Sequence, residues 1–283
     1  MSSASTLEAP TRPAPRHRTR SGTTLTAGSG LGLGIAVIWF SLLVLIPLTA
    51  IVVSAGERGW AGYWETITNP QTLAAVRLTV GQSLLVTLVN VVMGTLIAWV
   101  LVRDRFWGRA VLDVVIDIPF ALPTIVAGLV LLGLYGPNSP IGIDWAYTEH
   151  AVTLALAFVT LPFVVRAVQP VLGELEHDVE EAAASLGAGR GTILRRIVLP
   201  ALVPAIAAGA ALSFARAISE YGSLVLLSGN RPFETEVVSV RVLSHIENGS
   251  TASAAAVASL MLAVALLVIV VLDVIQRRVS RRG

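Results

Sequence analysis

Between Gly173 and Ala205 the chain reads GELEHDVEEAAASLGAGRGTILRRIVLPALVPA, a polar stretch set between two long apolar runs. Leu175, Val179, Ala182, Ala183 and Leu186 recur at helical spacing and make one modest apolar face, while Glu174, Glu176, Asp178, Glu180 and Glu181 occupy the rest. Carboxylates gathered in the first half of a helix meet the positive end of its dipole. Gly187, Gly189 and Gly191 then break the helix, and a second helix is expected from about Thr192, with Ile193, Leu194 and Ile197 on one side. Pro200 and Pro204 mark the passage into the next apolar run. The spacing predicts a helix–turn–helix whose small alanines let a partner surface come close. Two other readings of the residues stay open. One is an amphipathic helix lying on a membrane; the other is a metal site at His177 and Glu181, which lacks a second histidine or a converging ligand set.

Outward from this stretch the composition belongs to lipid. Of 283 residues 54% are apolar and 13% charged, about half the roughly 25% charge of a soluble domain; the mean hydropathy is +0.76. Six apolar runs each reach the ~20 residues that cross a hydrocarbon core: residues 31–54, 79–102, 110–135, 151–171, 199–227 and 252–275. The first exceeds the roughly 7–15 apolar residues of a signal peptide and reads as a retained span. Residues 1–30, rich in Ser, Thr, Pro, Gly and Arg, are expected to form a disordered cytoplasmic tail.

Every basic residue counted among the 20 is arginine. Without lysine there is no Walker A loop and no Schiff base. Without cysteine there is no disulfide, thiolate nucleophile or cysteine-held metal. The net charge of +2 comes with no arginine–aromatic cluster suited to nucleic acid. The arginines report orientation instead. Arg12, Arg16, Arg18, Arg20, Arg103, Arg105, Arg109, Arg190, Arg195, Arg196, Arg277, Arg278, Arg281 and Arg282 fall on one side of a six-span arrangement, against Arg58, Arg77, Arg231 and Arg241 on the other. Both termini, and the segment at 172–198, are therefore expected in the cytoplasm.

The segment resembles the signature loop of binding-protein-dependent ABC importer permeases: Glu181, Ala182, Ala183, three residues, Gly187, nine residues, then Ile197, any residue, Leu199 and Pro200. The resemblance implies an all-α, polytopic membrane protein with six transmembrane helices, in the type I ABC importer permease (MetI-like) fold. It also implies that the loop, including Ser185, Leu186 and Ala188, docks into a cleft of a cytoplasmic ATPase subunit and couples ATP hydrolysis there to transport. The chain itself would then be non-catalytic and hold no cofactor, ATP and Mg2+ being bound by the ATPase partners.

Three further stretches are similar to the sulfate and thiosulfate permeases, a branch related to the molybdate permeases: Val115 to Gly142 (VIDIPFALPTIVAGLVLLGLYGPNSPIG), Leu156 to Pro170 (LAFVTLPFVVRAVQP) and Ser213 to Asn230 (SFARAISEYGSLVLLSGN). The branch often has Gly where Ser219 stands. The resemblance implies sulfate import through a bacterial inner membrane, with a second, paralogous permease subunit forming a heterodimer, two ATPase subunits and an extracytoplasmic sulfate-binding protein; beyond the membrane lipid, no nucleic acid is implied. A molybdate or tungstate permease is the near alternative, and an ion-coupled secondary transporter the alternative from another class. An intramembrane protease using Ser223 would need a base at membrane depth, and His17, His150, His177 and His245 all fall outside the runs.

Charges inside the runs are costly and face a cavity or a partner. Arg216 and Glu220, four apart in the fifth run, read either as positive charge along an anion path or as an ion pair holding helices or subunits together. Arg166 is placed to snorkel or to pair with Asp117, near Asp113. Pro119, Pro123, Pro162 and Pro170 interrupt the runs, and Gly128, Gly133, Gly209 and Ala210 are expected at close helix contacts.

Overall fold

Apolar runs of this length cross lipid as helices, because only a helix satisfies its own backbone there. The computed structural model describes residues 27–175 and 177–280, and among these every regular element is a helix. Most of the expected tail (residues 1–26), Glu176 and residues 281–283 lie outside the described residues, and Arg12, Arg16, Arg18, Arg20, Arg281 and Arg282 with them.

The chain divides into two units, Met1–Leu48 and Thr49–Gly283. The first holds α1 (Ala27–Phe40) and a π turn, Ser41–Leu45, and ends within α2 (Ile46–Gly56), so helix begins four residues before the expected Leu31. Every described side chain from Ser29 to Leu48 is exposed or half-exposed. An apolar helix with that exposure is suited to lipid.

In the second unit, α3 (Gly59–Thr68) precedes α4 (Pro70–Arg103). Asn69 starts α4: its side-chain oxygen accepts from the backbone N–H groups of Gln71 and Thr72, and Pro70 occupies the first turn. The second helical span thus begins well before Thr79. The third run is corrected. It forms two helices, α5 (Arg109–Ala121) and α6 (Thr124–Tyr135), whose axes turn by 116°. Leu122 precedes Pro123 and is extended (φ −85°, ψ 134°), the conformation a following proline imposes. Pro162 and Pro170, by contrast, lie inside an unbroken α7 (Glu149–Glu174), which Thr148 caps through the Ala151 N–H.

After α8 (His177–Ser185) and α9 (Arg190–Ile193), a π turn at Leu194–Val198 runs on into α10 (Leu199–Ile218). The fifth run is also corrected: helix stops at Ile218 and resumes as α11 (Gly222–Leu227), so Glu220 lies in the break rather than inside a span. Next come α12 (Val238–Glu247) and α13 (Thr251–Ser280). Helices α3 and α12 occupy stretches expected to be loops. Among the described residues, five helices are long and apolar enough to cross a membrane, or six with the bent α5–α6 pair counted as one span.

Helices α4, α7 and α10 form the centre, with Val86, Leu156 and Ala217 in one buried cluster and Leu101, Val165 and Leu202 in another. Lipid tails are as apolar as leucine, so burial alone drives little association between spans; close packing and hydrogen bonds must. Gly94 and Gly209 both lie against Val164, where an added Cβ would stand 2.8 Å from the Val164 Cβ and 3.0 Å from its Cα respectively. Asn90 Nδ2 donates to Thr160 Oγ1 at 2.7 Å across the same α4–α7 contact. Gly128 approaches the Ser223 backbone as closely, whereas Gly133 faces open space and is not a packing residue.

Candidate functional site

The Gly173–Ala205 stretch does form a helix–turn–helix, and its turn has a specific geometry. The Ala188 N–H bonds to the Ala183 carbonyl at 3.0 Å and the Gly187 N–H to the Ala184 carbonyl at 2.9 Å. With Gly187 left-handed at φ +87°, this is a Schellman closure of α8. An added Cβ at Gly187 would meet nothing within 4 Å. Glycine is required here by the backbone, not by crowding.

The signature residues divide by direction. Ala183, Ala188 and Ile197 turn inward onto the cluster around Leu101 and Leu172. Glu181, Ala182, Ser185, Leu186, Gly187, Leu199 and Pro200 are exposed, Leu186 at 89%. Ser185 bonds back to the Glu181 carbonyl at 2.9 Å. The outer surface thus offers Leu186 as its most exposed apolar side chain, among small and acidic residues. Asp178 and Glu180 occupy the first turn of α8, where the helix dipole favours them.

Glu180 also anchors the loop. The Arg103 guanidinium, at the end of α4, donates to Glu180 Oε1 at 2.5 Å and lies 5.7 Å from the Trp99 ring centroid. The sequence reading missed this tether, because nothing in the local pattern links positions 77 residues apart. On its other side the loop passes without interruption into α10: Arg190–Ile218 is 29 residues of helix with Pro200 in the first turn of α10. At 1.5 Å per residue that is a rod of roughly 43 Å.

The far end of the rod carries Arg216. Its guanidinium meets Glu220 Oε2 at 2.6 Å, with Glu220 1% exposed and Arg216 28%. Glu220 Oε1 accepts from both the N–H and the hydroxyl of Ser223, each at 2.8 Å, and Ser239 of α12 donates to the Glu220 carbonyl at 2.8 Å. A carboxylate this buried needs those partners. The group joins α10, α11 and α12 across the helix break. The adjoining cavity of about 570 Å³, lined by residues such as Ile218, Val242 and Leu262, is apolar.

Arg166 is brought together with both acidic residues considered for it. It contacts Asp117 through Nε (2.8 Å) and one terminal nitrogen (2.6 Å), and Asp113 through the other (2.7 Å), which also reaches Gln169 (2.6 Å). Phe120 and Phe163 add an edge-to-face contact at 4.9 Å. The cluster fastens α5 to α7, on the same side of the centre as Arg103.

Residues 90–282 match the family described as "Binding-protein-dependent transport system inner membrane component". The chain is 42% identical over 255 residues to the sulfate transport system permease protein CysT of Escherichia coli (strain K12), covering 87% of this chain and 92% of that protein. It is 40% identical over 248 residues to the protein of the same name from Synechocystis sp., covering 85% and 87%. Among solved structures it resembles a bacterial ABC transporter involved in the import of the acidic polysaccharide alginate (TM-score 0.73, 19% identity, 89% of this chain and 95% of that one). It also resembles the MetNI methionine ABC transporter in an inward-facing conformation (TM-score 0.56, 16% identity, 76% and 98%). At those identities the structures show a common fold.

Proposed function

Because the chain belongs to the family of binding-protein-dependent transport inner membrane components, in its sulfate permease branch, we propose that it forms the membrane path of an ATP-driven importer of sulfate, and of thiosulfate with it. The observation that carries the coupling role is the signature loop. It presents an exposed face for a partner, is tied to α4 by Arg103–Glu180, and continues as one rod to Arg216. A push on α9 is carried along continuous helix, Arg190–Ile218, to the helix break at 219–221.

In this reading the exposed Glu181, Ala182, Ser185, Leu186 and Gly187 meet the ATPase subunit, and Ala183, Ala188 and Ile197 fix the loop to the membrane core. ATP and Mg2+ bind the two ATPase chains, this one being non-catalytic. A paralogous permease completes a heterodimer, and an extracytoplasmic binding protein delivers the anion. Both termini and the 172–198 segment face the cytoplasm, as the arginine count requires. Arg216 and Glu220 serve as a clamp across α10, α11 and α12: the carboxylate is already fully engaged and the neighbouring cavity is apolar, so neither suits an anion path.

The test is reconstitution with the ATPase subunits, the second permease and the binding protein. Sulfate-loaded binding protein should stimulate ATP hydrolysis, and sulfate uptake should require ATP. Molybdate outcompeting sulfate would move the chain to the molybdate alternative; gradient-driven uptake without the ATPase would place it among secondary transporters.

A further inference from the structure

On the side that the arginine count assigns to the exterior, α3, α4, α12 and α13 enclose a second polar feature that the transport reading does not use. It is a cavity of about 240 Å³ bordered by Arg58, Thr72, Arg241, His245 and Ser253, with Glu65 the sole carboxylate among its lining residues. That is below the roughly 300 Å³ at which pockets for drug-sized ligands begin. The space suits a small ion.

Its charges are incompletely matched. The Arg241 side chain is 14% exposed, yet its nearest carboxylate, Glu236, stands 4.0 Å away, too far for a hydrogen bond. Glu236 is itself engaged by Gln71 Nε2 at 2.7 Å. Arg241 Nε, the hydroxyl of the fully buried Thr72 and His245 Nε2 have no hydrogen-bond partner. A buried guanidinium whose counter-charge is too far to hydrogen-bond, beside unpartnered polar groups, is costly unless a ligand completes it. The neighbouring donors are preset. Arg58 donates to Ser253 Oγ at 2.9 Å and Ser250 donates to the same oxygen at 3.1 Å, which leaves the Ser253 proton for another acceptor. Asn69 meanwhile caps the start of α4 beside the cavity.

We propose that this cavity is an oxyanion site, in which a tetrahedral anion of the sulfate type lies between Arg58 and Arg241 and accepts from their guanidinium groups and from the Thr72 and Ser253 hydroxyls. The choice of sulfate rests on the import reading; the site itself does not. His245 supplies an independent signature. Burial first, then Arg241 and Arg58, hold its imidazole below the ordinary histidine value. The charged groups around it are Arg58 from the α2–α3 turn, Glu65 from α3 and Arg241 from its own helix, while α4 and α13 contribute only Thr72 and Ser253 among those facing residues. An added anion favours the protonated imidazole, so binding takes up a proton and tightens as pH falls below the ordinary value.

The experiment is equilibrium binding of radiolabelled sulfate to the full chain, assembled with its transporter partners, in phosphatidylcholine nanodiscs without the binding protein. Arg241→Gln should weaken binding about tenfold or more. Thr72→Val, which keeps the shape and guards against a folding failure, should weaken it several-fold, and His245→Gln should flatten the rise at low pH. Equal binding by wild type, Arg241→Gln and Thr72→Val, or no saturable binding by the wild type, overturns the site. Displacement by phosphatidylglycerol but not by thiosulfate or inorganic phosphate overturns its assignment to a solute anion in favour of a lipid headgroup. ATP-dependent sulfate uptake by the wild type, measured separately, decides the import reading whichever way the binding falls.

Discussion

A β-branched side chain at position 187 would have ample room and the wrong backbone. The left-handed conformation costs an L-residue roughly 1–2 kcal/mol, and asparagine tolerates it best after glycine. Gly187→Val is therefore expected to open the Schellman turn and abolish ATP-coupled sulfate uptake while insertion into the membrane is unchanged. Gly187→Asn should retain most of the uptake. Equal activity in both variants would mean that the turn's conformation is not what couples the loop. The requirement for glycine was legible in the sequence as a spacing, Glu181-Ala182-Ala183 followed by Gly187. Its cause was not, because a positive φ is set by the two crossing hydrogen bonds from Gly187 and Ala188.

Between elements, the decisive contacts join residues far apart in the chain. Arg166 holds Asp113 and Asp117 together, two carboxylates one helical turn apart on α5 that repel without it. Arg166→Met should lower stability by about 1–3 kcal/mol, read as thermal unfolding of the purified protein in detergent. Adding Asp113→Asn and Asp117→Asn to it should restore part of the loss, since part of the penalty comes from repulsion between the two carboxylates. A triple variant no better than the single one would show instead that the ion-pair geometry itself holds α5 on α7. The sequence made an Arg166–Asp117 contact conceivable. It could not show that the same guanidinium also reaches Asp113 and Gln169, because the turn at Leu122 and Pro123 is what sets α5 across α7. Nor did local pattern reveal α3 and α12. The Asn69–Pro70 cap marks only where α3 has ended and α4 begins, and α12 starts after Val237 with no side-chain cap.

For the molecule as a whole, the orientation expected from fourteen arginines against four is directly measurable, because the sequence has no cysteine. Leu186 and Ile141 are exposed at 89% and 54%, in segments assigned to opposite sides. In cells lacking the ATPase partner, Leu186→Cys should react with a membrane-impermeant thiol reagent only after the membrane is opened, and Ile141→Cys in intact cells. The reverse pattern would invert the topology and put the signature loop out of an ATPase's reach. Apolar runs and the arginine bias were enough to point to an all-helical membrane protein, because lipid leaves a chain few ways to satisfy its backbone and its charges; that it is a permease was implied by the resemblance of one loop to a known signature. Only the tertiary structure decided that the third run folds back at Pro123, that Glu220 sits in a helix break, and that Arg103 reaches Glu180. It alone gathered Arg58, Thr72 and Arg241 around one cavity. Those features depend on which side chains meet across helices distant in sequence, and hydrophobic periodicity carries no record of such pairings.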